Sequence, residues 1–456
     1  MAHTVVIGGG ISGLATAWFL SRQGKTITVL ESQNRVGGMI HTSHRQNYLI
    51  EHGPNSTLQK PGDPTDGLGR LVAGLDISER LAVANPQAAR RYVCKNGRLL
   101  PLPASPPQFL RTPLFSWPAK LRLLLEPFVA QGDENESIGS FVTRRLGREF
   151  LDYAVEPFVS GVYAGNPWQL SVAAAVPRIY ALEFEYGSLI RGALALGRLR
   201  KATGMPAGRL VAFDTGMELL PQTIAAKLPP DTVHTGSHVT CLEATGTEGW
   251  RVTWEKGNEK NQIQASQVVL AVPAMAAAQL LEPLSPVAAQ LLKKISYAPI
   301  VSMGMGFKRS QVGHPLDGFG FLVPRRENVR TLGALFSSTL FARRAPEQHV
   351  LLTSFMGGAT DPEAVHEAEQ LLTDQVLQDL QKILNIQGTP ELMQVTGHRQ
   401  AIPQYALGHL DLLRDLDAAM APWQGLSFRA NWRDGISVAD CVKNAEILAN
   451  QLKNKE

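Results

Sequence analysis

Three glycines near the start of the chain, Gly8, Gly10 and Gly13 in "TVVIGGGISGLATAWFL", stand at the spacing G-x-G-x-x-G, which suits contact with phosphate. The β-branched run at residues 5–7 reads as a buried parallel strand, and residues 12–23 read as the helix that follows. At such a junction the first glycine permits a tight turn. The second lets the backbone approach a pyrophosphate, and the third lets helix pack on strand. The helix N-terminus, with Ile11 and Ser12, then faces the phosphates. A second strand, "TITVLE", ends in Glu31, where a carboxylate can accept hydrogen bonds from a ribose, and Ser32 follows it. Together these residues form a dinucleotide-binding unit.

The segment "RVGGMI" comes directly after. Arg35 supplies a cation, Gly37 and Gly38 allow close backbone approach, and Met39 adjoins them. It resembles the second signature of FAD-dependent oxidoreductases of the amine-oxidase type, and so FAD is the cofactor expected. In "IEHGPNSTL" the turn at Gly53, Pro54 and Asn55 is expected close to the flavin. Val239, in "HVTCLEAT", is the expected adenine neighbour. Near the C-terminus, "RANWRDGISVADC" places Asn431 and the run Gly435, Ile436, Ser437 and Val438 at a helix start. Amides and dipole there can face the flavin's negative end.

These residues must be carried by large cores, and 456 residues with 44% hydrophobic composition supply two or three domains. The formal charge of +4, from 44 basic and 40 acidic residues, carries no nucleic-acid footprint. Cys94, Cys241 and Cys441 are widely spaced, which argues against a disulfide framework or zinc site and for a reducing compartment. The chain passes from Met-Ala-His directly into a strand, so no secretory leader is expected. The apolar stretch at residues 268–281 is short and broken by Pro273, so no spanning helix is expected.

Residues 90–201 read as mostly helical. Ile138, Phe141, Val142 and Leu146 share one face, and Phe150, Leu151, Ala154 and Val155 repeat the period. Strand character returns near Arg209. It recurs through "WRVTWE", "QVVLAVP", "IVSMGMGF", "GFLVP" and "VLLTSFMG", followed by a helix at about 362–384.

The ordered motifs "RRYVCKNGRLLPLP", "EPFVSGVYAGNPWQLSVAAAVPRI", "LGALFSSTLFARRAP", "LLTSFMGGATDPE" and "QAIPQYALGHLDLL" resemble the FAD-containing, oxygen-dependent protoporphyrinogen oxidase family, most of all its plant mitochondrial and bacterial members. The resemblance covers nearly the whole chain. It implies an α/β and α+β fold with a Rossmann-like FAD domain of the p-hydroxybenzoate-hydroxylase type, a mixed-sheet substrate domain and a helical insertion. The expected boundaries are 1–88, 205–275 and 420–456 for the FAD domain, 89–204 for the helical domain and 276–419 for the substrate domain.

By the same resemblance Arg91 pairs with a substrate propionate, Leu322 and Leu335 sandwich one pyrrole ring, and Phe355 stacks on another. Gly161 to Gly165 line the substrate site. The flavin carries the redox chemistry, so neither a catalytic side chain nor a metal is expected, and O2 is the terminal acceptor, giving H2O2. Coproporphyrinogen III, an amine or carotenoid substrate, and flavin or porphyrin binding without turnover are the competing readings. The family's tryptophan before the "A-(F/I)-P" segment is His398 here, and its "GN-(Y/H)" is "ANW". The expected partners are a tetrapyrrole, O2 and the cytoplasmic face of the cell membrane, with a homodimer left open. Phe109, Leu110, Leu114, Phe115 and Trp117, beside Arg111 and Lys120, would form the membrane contact.

Overall fold

The computed structural model describes residues 3–203, 207–246 and 249–453. The expected boundary between the helical and second FAD segments, at 204/205, lies outside the described residues.

A five-stranded parallel sheet runs in the order Val233–His234, Thr26–Leu30, His3–Ile7, Gln267–Leu270 and Leu426–Phe428. Its strands come from the beginning, middle and end of the chain. Alternation along the strands divides the core. Val6, Val29 and Val269 face a cluster with Leu14 and Leu20 of the helix Ile11–Ser21 and Val442 and Leu448 of the helix Val438–Lys453. Val5, Ile7, Val268 and Leu270 face the other side, against Trp250, Val252, Leu281 and Trp432. Removing one such side chain, as in Leu14→Ala, costs about 2–5 kcal/mol. A three-stranded antiparallel sheet, His238–Ala244, Trp250–Lys256 and Glu259–Ala265, forms the crossover into Gln267–Leu270.

The second large sheet has seven strands, in the order Leu392–Pro403, Tyr297–Lys308, His349–Gly357, Gly333–Leu335, Gly320–Leu322, Arg91–Lys95 and Arg98–Pro101. One face packs Met303, Met305, Phe321 and Ala334 onto Leu372, Val376 and Leu380 of the helix Glu369–Leu384. Its last two strands fall in the stretch read as mostly helical. Arg91–Lys95 pairs in parallel with Gly320–Leu322, so this hairpin belongs to the seven-stranded sheet by hydrogen bonding. The rest of that stretch, from Pro106 to Thr203, is helical. At its centre the fully buried Arg145 binds Glu126 at 3.1 Å and Glu183 at 2.5 Å.

The membrane-facing set drawn from sequence divides in the structure. Leu114 and Phe115 are buried, and Phe109 stacks on Phe150 and packs at a tilt against Phe115, because the three rings close a core with the helix Ile138–Arg145. Lys120 is also buried, donating to the carbonyls of Leu110 and Thr112. Only Leu110 and Trp117 of the apolar five are exposed.

Candidate active site

At the carboxyl ends of the parallel strands lies a cleft of about 610 Å³, where open parallel sheets bind ligands. Its floor is the glycine turn. Gly8 sits at φ +108°, and a Cβ there would lie 2.6 Å from the Ala271 carbonyl oxygen. A Cβ on Gly13 would lie 2.0 Å from the Gly8 oxygen, so the helix can approach the strand only without one. A Cβ on Gly10 would meet nothing within 4 Å, which leaves open space on the cleft side. The helix Ile11–Ser21 has no side-chain cap at Gly10, so its first amides are left for a ligand. This cradle fits a pyrophosphate.

Glu31 is buried and clasps the turn, with Oε2 accepting from the Gly9 amide at 2.6 Å and Oε1 from the Gln33 amide at 2.7 Å. It also lines the cleft, beside Ser32. Gly37, Gly38 and Met39 form the wall above Gly10, and Gly38 approaches so closely that a Cβ would lie 3.3 Å from the Gly10 Cα. Pro54, Val239, Asn431, Ile436 and Val438 close the remaining sides.

Six of the expected cofactor residues stand behind the lining. Gly13 is beneath the turn, and Arg35 spends its guanidinium on the carbonyls of Gly38, Ile40 and Val36, holding the turn in shape. A Cβ on Gly53 would lie 2.0 Å from the Met39 oxygen, and Asn55 donates to the Gly53 carbonyl. Gly435, at φ +122°, packs on Asp440. The Ser437 hydroxyl accepts from the Asp440 amide at 3.0 Å, capping the last helix. Sequence reading missed Val272, Pro273, Gln400 and Cys441, which also line the cleft. For the first two a signal existed, since they directly follow the strand Gln267–Leu270 at its carboxyl end.

The proposed substrate residues come together on the second sheet. Register places Gly320 opposite both Leu335 and Arg91, Leu322 opposite Gly333, and Gly333 opposite Phe355. Residues in register share a face, so Arg91, Leu322, Leu335 and Phe355 all lie on the side away from the Met303 core. Gly333, at φ +154°, leaves a gap between Leu322 and Phe355. The helix Glu156–Tyr163 lies over this face, where a Cβ on Gly161 would come within 2.5 Å of Leu322 Cδ2. Gly165 is packed against Leu170 and the Gln404 Oε1.

Between sheet and cleft, His52 is held by Ser43 and Thr396, each at 2.7 Å, and stacks on His41 with 4.8 Å between ring centroids. Burial, then the neighbouring imidazoles, push its pKa down to about 4. His398, which replaces the family's tryptophan, bonds the His52 carbonyl at 2.7 Å, so this position braces the segment leading into Gly53. Among the described residues no group of His, Cys, Asp and Glu could hold a metal ion.

Tyr297, Gln400 and Ala401 bring the seven-stranded sheet to the rim of the cleft, while Arg91, Leu322, Leu335 and Phe355 stand outside its lining. A dinucleotide cradle against such a sheet is the site of a flavin-dependent oxidoreductase. The chain belongs to the flavin containing amine oxidoreductase family, whose model matches residues 11–452. FAD is its cofactor. Among its relatives, the chloroplastic protoporphyrinogen oxidase of Nicotiana tabacum is 34% identical over 98% of this chain and 85% of its own length. The mitochondrial enzyme of the same plant is 29% identical, so the likeness is stronger to the chloroplastic form than to the mitochondrial one. The coproporphyrinogen III oxidase of Bacillus subtilis is 29% identical over 98% of this chain and 97% of its own. In fold, a crystal structure of a putative protoporphyrinogen oxidase from Exiguobacterium superposes with a TM-score of 0.84 at 24% identity. It covers 100% of this chain and 99% of that one.

Proposed function

We propose that this oxidoreductase converts protoporphyrinogen IX to protoporphyrin IX in haem synthesis, with O2 as the electron acceptor. The observation that carries this reading is the shared sheet face of Arg91, Leu322, Leu335 and Phe355. A porphyrinogen is a wide apolar macrocycle with carboxylate tails, and it asks for apolar walls and a few cations. Arg91 presents a planar fork to a propionate, and its guanidinium stands 5.0 Å from the Phe319 ring. Leu322 and Leu335 hold one pyrrole and Phe355 another. Gly161 and Gly165 keep the covering segment close, which excludes water from the macrocycle.

Bound FAD supplies the two-electron acceptor, and in total the substrate gives up six electrons and six protons while three O2 become three H2O2. In net, four of these hydrogens leave the methylene bridges and two leave pyrrole nitrogens, and the role assigned to the chain is to orient the ring.

Coproporphyrinogen III, which carries four propionates, is the competing substrate. The other arginines near Arg91 and Leu322 already have carboxylate partners: Arg90 with Asp317 at 2.5 Å, Arg326 with Asp152 at 3.0 Å and Arg325 with Glu156 at 3.9 Å. That neutralisation favours the substrate with fewer carboxylates. The test is aerobic turnover of both substrates, followed by porphyrin fluorescence and peroxide. The expected result is a higher kcat/KM for protoporphyrinogen IX with three H2O2 per porphyrin. A preference for coproporphyrinogen III reverses the substrate assignment.

The helical region carries the proposed contact with a membrane surface. Leu121, Leu124, Leu125 and Phe128 are exposed together with Leu110 and Trp117, and Arg111 and Arg122 are exposed beside them. Apolar side chains immersed beneath headgroup-level cations describe an interfacial surface.

A further inference from the structure

Tyr405 is buried where three parts of the chain meet. Its carbonyl accepts from the Ser171 amide at 2.9 Å, and the side chain of the preceding Gln404 donates to the Tyr163 carbonyl at 2.8 Å. The ring stacks on His409, with centroids 4.5 Å apart and planes 12° apart. From this fixed point the hydroxyl reaches the C-terminal segment. It donates to the Asn431 carbonyl at 2.5 Å and accepts from the Gly435 amide at 2.7 Å. One oxygen thus closes both ends of the short helix Asn431–Asp434. Asn431 and Ile436 line the flavin cleft, and the helix Val438–Lys453 begins two residues later.

We propose that Tyr405 is a positioning residue for the flavin: its hydroxyl sets the placement of residues 431–436, and with them the start of the last helix, against the cofactor. Gly435, at φ +122°, has no side chain to hold this turn. The amides at a helix start favour negative charge, so their distance from the flavin sets how far its reduced form is stabilised. Without the hydroxyl, the Asn431 carbonyl and Gly435 amide lose a buried partner and the turn relaxes away from the cleft.

The test is Tyr405→Phe, purified as holoprotein. It keeps the ring and its stack and loses both hydrogen bonds. The FAD dissociation constant is measured by fluorescence, and the flavin potential by equilibration with a reference dye. The expected result is about tenfold weaker FAD binding and a ratio of oxidised to reduced flavin about tenfold higher at a given potential. For a two-electron couple that is a potential about 30 mV lower. His409→Phe, which alters the stack and the imidazole's contact with the Trp432 backbone but spares the hydroxyl, should shift the potential by much less. A lowered melting temperature with unchanged affinity and potential would make Tyr405 a packing residue and overturn the proposal, as would an equal shift in His409→Phe. The inference rests on the flavin reading. Dye equilibration needs no porphyrinogen, so failure of the substrate assignment would leave it standing.

Discussion

Arg91 carries its charge on the same sheet face as Leu322, Leu335 and Phe355, and among the described residues no carboxylate pairs with it. A hydrogen bond to a charged group is worth about 1.5–3 kcal/mol, so Arg91→Ala should raise KM for porphyrinogen by roughly tenfold to a hundredfold and change kcat little. Arg91→Lys should recover only part of the loss, because an ammonium lacks the planar fork. Steady-state kinetics check both, and an unchanged KM in Arg91→Ala would remove this residue from the site. His409 makes a second residue-scale prediction. It is 5% exposed, its Nε2 has no partner, and burial holds its pKa down to about 4, below the 6.5 of a free imidazole. The unfolded chain then binds more protons than the folded one between about 6.5 and 4, and stability falls as pH drops through that window. His52 pulls the same way. Melting curves across this range should show a shallower decline in His409→Phe, and an identical decline would contradict the assignment.

Among the elements, the helical region depends on Arg145, which also donates to the carbonyls of Val129 and Gly187. Its partner Glu126 accepts from the Leu189 and Ile190 amides and the Ser188 hydroxyl, fixing the start of the helix Leu189–Thr203. Arg145→Met leaves two carboxylates short of their cation and should cost about 3–5 kcal/mol, read as a lower urea midpoint. A loss below about 1 kcal/mol would show the network to be dispensable. The same region marks the limit of what periodicity reveals. The glycine turn, Glu31 and the parallel strands were legible because each signal is local. The hairpin Arg91–Lys95 and Arg98–Pro101 merges into a helical stretch in sequence because its sheet partner lies more than two hundred residues away. A local sign did exist: Asn96 and Gly97, at φ +53° and +70°, are the Asn-Gly pair that two-residue hairpins favour. For a related reason sequence alone does not reveal that Phe109, Leu114 and Phe115 pack inward. An apolar run looks alike whether it faces lipid or the rings of Phe150 and its neighbours.

At the scale of the whole molecule, the cleft proposed for the flavin is assembled from residues as distant as Gly8 and Cys441, and the buried pair Glu51–Arg344, at 2.8 Å, ties the strand Tyr48–Glu51 to the segment that leads into His349–Gly357. No helix among the described residues is long and apolar enough to cross a membrane. The proposed attachment therefore rests on a surface where Leu124 is 69% and Phe128 80% exposed. Liposome flotation should carry the wild-type protein upward and leave the double variant Leu124→Asp, Phe128→Asp in the soluble fraction; wild-type protein that stays behind at every lipid charge would contradict the attachment. The central claim is that the sheet face delivers a porphyrinogen to the flavin. The most direct measurement is anaerobic rapid mixing of holoprotein with protoporphyrinogen IX and, separately, coproporphyrinogen III, following the flavin absorbance. The account predicts fast bleaching by protoporphyrinogen IX and a slower response to coproporphyrinogen III, whereas flavin that stays oxidised with both would contradict it.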